Sequence, residues 1–194
     1  MTKVLVVHGS RHGATEGIAQ RIGEVLRAQG LAAPVVSAEN VADEDVRDAD
    51  AFVVGSAVYM GQWLKEPVEF LEHYPTLLRA SAVWLFSSGP LPGSTRSQDP
   101  SDPLTDALGP ESGPGSGGRR KIEDLAASIG ARDHRVFFGK YDPEAPPRTF
   151  PERIVRMLPF AKGVLPHGDF RNWSDIEAWA LEIAAEAVSP TVPV

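Results

Sequence analysis

The sequence predicts an α/β protein with a doubly wound, five-stranded parallel sheet and helices on both faces. Short continuous apolar runs of the kind buried on both sides of a sheet occur five times along the chain. Segments with apolar residues at helical spacing alternate with them, and right-handed crossovers then leave few topologies to consider.

The elements follow in order. Val4, Leu5, Val6 and Val7 form a β-branched run that fits a strand covered on both faces. From Ile18 the apolar residues Ile18, Ile22, Val25 and Leu26 fall on one helical face, Glu16, Gln20, Arg21, Glu24 and Arg27 cover the rest, and Gly30 ends the helix. A second strand is expected in APVVSAEN. A third, Ala51 to Gly55, is introduced by the polar stretch DEDVRDAD. LKEPVEFLEHYPTLL reads as one helix with Pro67 in its first turn, and SAVWLFSSG as the fourth strand. KIEDLAASIGA is a helix closing on a glycine, DHRVFFGKY the fifth strand, and NWSDIEAWALEIAAEAV a final helix with Ser174 as its N-cap.

The 194 residues, 42% hydrophobic and 23% charged, suit a single domain spanning 1–194. A net charge of −7 argues against nucleic acid as a partner, because no positive excess is available to displace phosphate counterions. The absence of cysteine excludes disulfides, thiolate metal sites, iron–sulfur clusters and cysteine nucleophiles. The chain opens directly on a core strand and holds no apolar run of membrane-spanning length, so a cytoplasmic protein is expected.

In doubly wound sheets ligands gather beyond the carboxyl ends of the strands, where the winding direction reverses. The segments after the first, third and fourth strands read GSRHGAT, GSAVYMGQW and SSGPLPGS. In the first, Gly13 and Ala14 let the backbone approach a ligand, Ser10 and Thr15 offer hydroxyls, and the first helical amides suit a dianionic phosphate. The same residues also fit a plain turn in which Ser10 or Thr15 caps the helix. Tyr59, Met60 and Trp63 form either a flat wall for an aromatic ligand or a face packed on the next helix. A phosphate loop beside an aromatic wall points to a mononucleotide.

This arrangement resembles the flavodoxin-like fold, in which an FMN phosphate sits in the first loop and the isoalloxazine lies between later loops. That family's phosphate loop reads Ser/Thr-x-Thr-Gly-x-Thr. Ser10, Gly13 and Thr15 match it, while His12 replaces the middle threonine, which removes one hydroxyl and leaves the backbone cradle. A narrower resemblance, over nearly the full chain, is to flavodoxin-domain proteins of the menaquinone-dependent protoporphyrinogen dehydrogenase type. It is carried by SRHGATEGIA, VVGSAVYMGQW, VWLFSSG, FFGKYDP with FPERIVRMLP downstream, and GDFRNWSDIEAWALEIA.

The resemblance implies phosphate contacts from Ser10, Arg11, His12, Gly13, Ala14 and Thr15. It implies ring contacts from Ser56, Ala57, Val58, Tyr59, Met60 and Gly61 and from Ser87, Ser88, Gly89 and Pro90. The implied activity is that of an FMN-dependent oxidoreductase exchanging electrons with a quinone or similar acceptor; the alternative is an electron carrier for a redox-protein partner. FMN would carry the chemistry, so no acid or base is obligatory. His12, Tyr59, Lys140 and Tyr141 are the candidates at the strand ends.

Two further segments invite a role. From Pro90 to Gly118 the chain holds six prolines, six glycines and five serines in 29 residues, the composition of a flexible insertion that serves as a lid, as a docking loop or merely as a solvated excursion. From 148 to 171, Arg148, Arg153, Arg156, Lys162 and Arg171 accompany Phe150, Ile154, Met157, Leu158, Phe160, Val164 and Leu165. That mixture makes either a quinone, peripheral-membrane or protein docking face or a cover for the domain's own core. A third class of function is suggested by HGSR, His8 to Arg11, which resembles the start of sirohydrochlorin-type chelatases. His12, His73, His134 and His167 show no matching metal-site spacing, and no hydrolase elbow or Walker-type phosphate loop is present.

Overall fold

The computed structural model of the chain describes residues 1–59, 62–89, 116–141 and 168–188. Met60, Gly61, Pro90, the 90–118 insertion up to residue 115, and residues 148–167 of the basic segment lie outside them.

Strand β1, Val4–Gly9, is buried throughout, the apolar run Val4 to Val7 being followed by a buried His8. Helix α1, Ala14–Ala28, follows and ends as expected at Gly30, where φ is +81°. The Gly30 N–H donates to Arg27 C=O and the Leu31 N–H to Leu26 C=O, so the last turn is closed by a Schellman motif that favours glycine at this position. Strand β2, Val35–Ser37, leads through a 3₁₀ turn, Ala38–Asn40, into a short helix α2, Asp43–Arg47. The polar stretch before the third strand is thus not all loop. Three acidic residues in the first turn of α2 complement its exposed amides, and Val46 is its buried anchor.

Strand β3 runs from Ala51 to Tyr59, four residues beyond the apolar run, and turns back through β4, Gln62–Trp63, as an antiparallel hairpin. The expected single helix over 64–78 is two, α3, Lys65–His73, and α4, Pro75–Ala80. Pro75 explains the break, since a proline disfavours helical geometry in the residue before it. Strand β5, Ala82–Ser88, comes next. Helix α5, Ser116–Ile129, starts five residues before KIEDLAASIGA and takes in the end of the expected insertion. The fifth expected strand divides into β6, Asp133–Phe137, and a short β7, Lys140–Tyr141, which pairs with β8, Gly168–Asp169, in a separate ribbon. Helix α6, Trp173–Val188, begins ahead of Ser174, and its first backbone bond runs from the Ile176 N–H to Asn172 C=O. Asn172 therefore stands at the N-cap in place of Ser174.

The sheet has the order β2-β1-β3-β5-β6, all parallel, with β4 attached antiparallel to β3. Alternation sends successive residues to opposite faces. Val4, Val6, Val53, Trp84 and Phe86 pack with α1 and α6, while Leu5, Val7, Val54, Val83 and Leu85 pack with α3, α4 and α5. The expected α/β flavodoxin-like sheet is what the chain forms. Its winding reverses between β1 and β3, so the segments after those two strands face each other across the switch point.

At one place the packing fixes a residue outright. Phe86, paired with Gly55 in register, lays its ring where a Gly55 side chain would begin. Gly55→Ala is expected to lower stability by about 1–3 kcal/mol through overpacking, read as a reduced midpoint in urea unfolding.

Candidate functional site

The loop from Ser10 to Gly13 is held by its own polar atoms. The Gly13 N–H donates to Ser10 Oγ at 3.1 Å, a bond within the loop rather than a cap on the helix. Helix α1 receives no side-chain cap, and its first backbone bond runs from the Gly17 N–H to Gly13 C=O at 2.9 Å. The amides of Ala14, Thr15 and Glu16 precede that ladder, which is the arrangement an anion exploits. Gly13 has φ +79°, and a β-carbon placed there would meet nothing within 4 Å, so the loop is open on its outer side. Thr15, whose hydroxyl was expected to face a ligand, is only 1% exposed. Beside the loop lies a cleft of about 230 Å³ bounded by Ser10, Arg11, Ser37, Glu39, Leu64 and Glu66 among others. A larger hollow, about 550 Å³, sits at the opposite end of the sheet around Thr2, Asp50 and Arg132, away from the loops that follow the strands.

Four segments distant in sequence meet at the carboxyl edge. The His12 ring lies 6.5 Å from that of Tyr59, joining the first loop to the end of β3. The Gly89 N–H donates to Phe137 C=O at 3.0 Å, tying the end of β5 to β6, and a β-carbon on Gly89 would lie 3.5 Å from Val58 O. A β-carbon on Gly139 would be 3.6 Å from Ser88 Oγ and 3.9 Å from Ala14 Cβ. Gly139 thus sits between two of the expected segments, yet sequence reading passed over it. Its only local signal was its place after the apolar triplet Val136, Phe137 and Phe138.

The expected ring-contact segments prove to be largely strand. Ser56 through Tyr59 complete β3, and Ser87 and Ser88 complete β5. Ser56 is fully buried; its Oγ accepts from the Leu64 N–H at 3.0 Å and donates to Ala57 C=O. Its register partner Ser87 is 5% exposed and accepts a hydrogen bond from Trp63 Nε1–H at 2.8 Å. Trp63 is therefore buried in the α3/α4/α5 core rather than presented as an outer wall, which leaves Tyr59 as the partly exposed aromatic among the described residues of that hairpin. Ser87 Oγ also lies 2.9 Å from His134 Nε2, a contact across 47 residues that no local pattern signals. Of the basic segment, Arg171 is described: its guanidinium binds Asp169, lies 4.3 Å over the Trp173 ring and packs against Gly17 in the first turns of α1.

A profile of the flavodoxin domain matches residues 5–108. The chain belongs to the flavodoxin domain family. Among curated protein sequences none matches it. Among solved structures, the rubredoxin oxygen:oxidoreductase of Desulfovibrio gigas superposes with a TM-score of 0.58 at 15% identity over 96% of this chain. This chain spans 36% of that protein's length. A flavodoxin from the domain Archaea gives a TM-score of 0.57 at 16% identity, covering 97% of this chain and 100% of its own. A flavodoxin of Streptococcus pneumonia TIGR4 gives 0.54 at 19% identity, covering 95% and 99%. At these identities the likeness is one of fold.

FMN is the cofactor that goes with the flavodoxin domain. The residues present fit it: α1 opens without a side-chain cap behind a loop with free space at Gly13, and a partly exposed tyrosine stands beside that loop. The chelatase reading has no such support, since among the described residues no group of three or more His, Cys, Asp or Glu is placed to hold a metal. His8 lies inside this flavodoxin domain, 7% exposed, with a buried Nδ1 that has no hydrogen-bond partner among the described residues. Strand alternation puts it on the face of Val4 and Val6, beside the position where Phe86 covers Gly55.

Burial lowers the affinity of His8 for a proton below that of an ordinary histidine, against an opposing pull from Glu16. Burial does the same to His134, against Asp133 and Glu123. Both groups therefore bind protons more readily in the unfolded chain than in the folded one. Their neutral forms leave stability intact above about pH 6.5, the ordinary histidine value, and it is lost as the pH falls through that value toward the depressed ones. The urea midpoint is expected to fall between pH 7.5 and 5.5, and most of that fall is expected to be absent from the His8→Gln/His134→Gln double variant.

Proposed function

We propose that the chain is an FMN-dependent oxidoreductase that exchanges electrons with a quinone or a similar small acceptor. The observation that carries this reading is the meeting of the first loop, the β3 hairpin, the end of β5 and Gly139 at the switch point of the sheet. In this reading the segment Ser10 to Thr15 holds the phosphate, with Ser56 to Gly61 and Ser87 to Pro90 flanking the ring. When bound, FMN supplies the redox chemistry, by hydride or single-electron transfer.

The chain's own residues bind and orient. The amides that open α1 and the Ser10 hydroxyl, which still has a hydrogen to donate after accepting from Gly13, answer a phosphate dianion. The hydroxyls of Ser56 and Ser87 act from within, holding the hairpin, so that ring contacts at those positions come from the backbone. Arg11 lines the neighbouring cleft and adds a positive charge beside the loop. The acceptor reaches the ring at the carboxyl edge, where Tyr59 is partly exposed.

The reading is tested by adding FMN to the purified chain, removing the excess and recording the visible spectrum. A retained flavin spectrum is expected. Gly13→Asp is expected to abolish it: the new side chain enters open space and aspartate tolerates the left-handed backbone, so the fold survives at a cost of about 1–2 kcal/mol while a carboxylate occupies the phosphate position. Undiminished FMN retention in that variant would refute the loop assignment. Rapid reoxidation of the reduced protein by a soluble naphthoquinone supports the oxidoreductase, and reoxidation only by a redox protein would make the chain a carrier.

A further inference from the structure

The hydrogen bonds behind the Tyr59 hairpin have a direction, and that direction depends on one proton. An indole N–H only donates, so Trp63 gives its hydrogen to Ser87 Oγ, 2.8 Å away. Ser87 keeps one hydrogen of its own, and the partner left for it is His134 Nε2 at 2.9 Å. Among the described residues its hydroxyl has no third partner, and Ser87 is 5% exposed. The series therefore runs from Trp63 through Ser87 to His134, and it closes only while Nε2 is a bare acceptor. A protonated imidazolium would make Nε2 a second donor toward Ser87 and leave the serine hydrogen unsatisfied in a buried place, a costly state.

The surroundings of His134 are charged on some sides and closed on others. Asp133 and Arg135 flank it on β6 and pair with each other, Asp133 also accepting from Trp179 Nε1–H of α6. Glu123 of α5 and Asp133 favour the cation, and burial opposes it more strongly. From β4 the Trp63 ring meets the imidazole edge-on at 6.0 Å, and from β5 comes the Ser87 hydroxyl. Trp63 stands opposite Val58 in the β3–β4 pair, next to the Tyr59–Gln62 pair, so whatever holds Trp63 holds the strand that presents Tyr59.

We infer that His134 is a positioning residue for the flavin ring: through Ser87 it fixes Trp63, and with Trp63 the Tyr59 hairpin, only while the imidazole is neutral. What the hairpin does rests on the FMN reading above; how it is held rests on the hydrogen bonds alone. Acidification then loosens the hairpin and weakens flavin binding, independently of the phosphate loop.

The test uses the full chain and riboflavin, which has no phosphate to titrate. Flavin fluorescence quenching gives its dissociation constant at pH 7.5 and 5.0. The indole N–H resonance of Trp63, assigned against Trp63→Phe, is followed over the same range in the flavin-free protein. In the native chain the constant is expected to rise about tenfold on acidification, the scale of one hydrogen bond, and the indole signal to move with the midpoint of the His134 ring protons. His134→Gln, whose side-chain carbonyl still accepts from Ser87 and does not titrate, is expected to change less than twofold, and Ser87→Ala to bind weakly at both values. An indole signal indifferent to the His134 titration, or equal pH dependence in the native and His134→Gln chains, overturns the inference. Should His134→Gln not fold, the native indole titration decides alone. Failure of the native chain to bind either riboflavin or FMN at pH 7.5 overturns the FMN reading instead, and the indole titration still decides how the hairpin is held.

Discussion

A parallel sheet leaves neither of its faces to water, because every strand must be returned to the same end by a crossover that covers one side or the other. That obligation organises this protein. It demands apolar residues at consecutive positions of β1, β3 and β5, so that Val4 and Leu5, or Val53 and Val54, go to opposite cores. It places α1 and α6 on one face and α3, α4 and α5 on the other. Because the chain first winds outward to β2 and then returns past β1 to β3, it also creates the crevice between the loops that follow β1 and β3.

Against that apolar requirement, the few polar side chains inside the sheet stand out by position. Ser56 and Ser87 are register partners at the carboxyl ends of β3 and β5, and each spends its hydroxyl on the hairpin that follows β3, one on the Leu64 amide and the other on the Trp63 indole. Two small hydroxyls thus convert a strand end into a defined corner. A hydroxyl at such a depth must be satisfied, and each serine gives its remaining hydrogen elsewhere, Ser56 to Ala57 C=O and Ser87 to His134 Nε2. His8 is different, since its Nδ1, on the face toward α1, is buried without a partner among the described residues. Burial holds it neutral, at the expense of stability in acid.

Legibility in the sequence followed the range of the interactions involved. The strands, the alternation and the Gly30 stop were legible because they depend on residues within a few positions of one another, and the fold class follows from them. The α3/α4 break was legible in principle from Pro75, which the helical spacing of 64–78 overrode. The short helix α2 hid inside an acidic stretch because one buried residue, Val46, is too little to set a period. The division of the last strand after Phe137 had no local mark either, since FFGKY is continuous with a strand pattern and its break depends on Gly168 and Asp169 supplying a separate partner for β7.

The sequence by itself determined that this chain would form a two-faced parallel sheet and that a small-residue loop would open α1. These are consequences of periodicity, turn chemistry and composition, which neighbouring residues settle between them. Only the tertiary structure decided the rest: that Trp63 turns inward to Ser87 while Tyr59 stays at the edge, that Ser87 meets His134, and that Gly139 stands beside Ala14 and Ser88. The reason is that a hydrogen bond or a close approach between residues 24, 47 or more than 100 positions apart depends on strand order and register, which no local pattern contains.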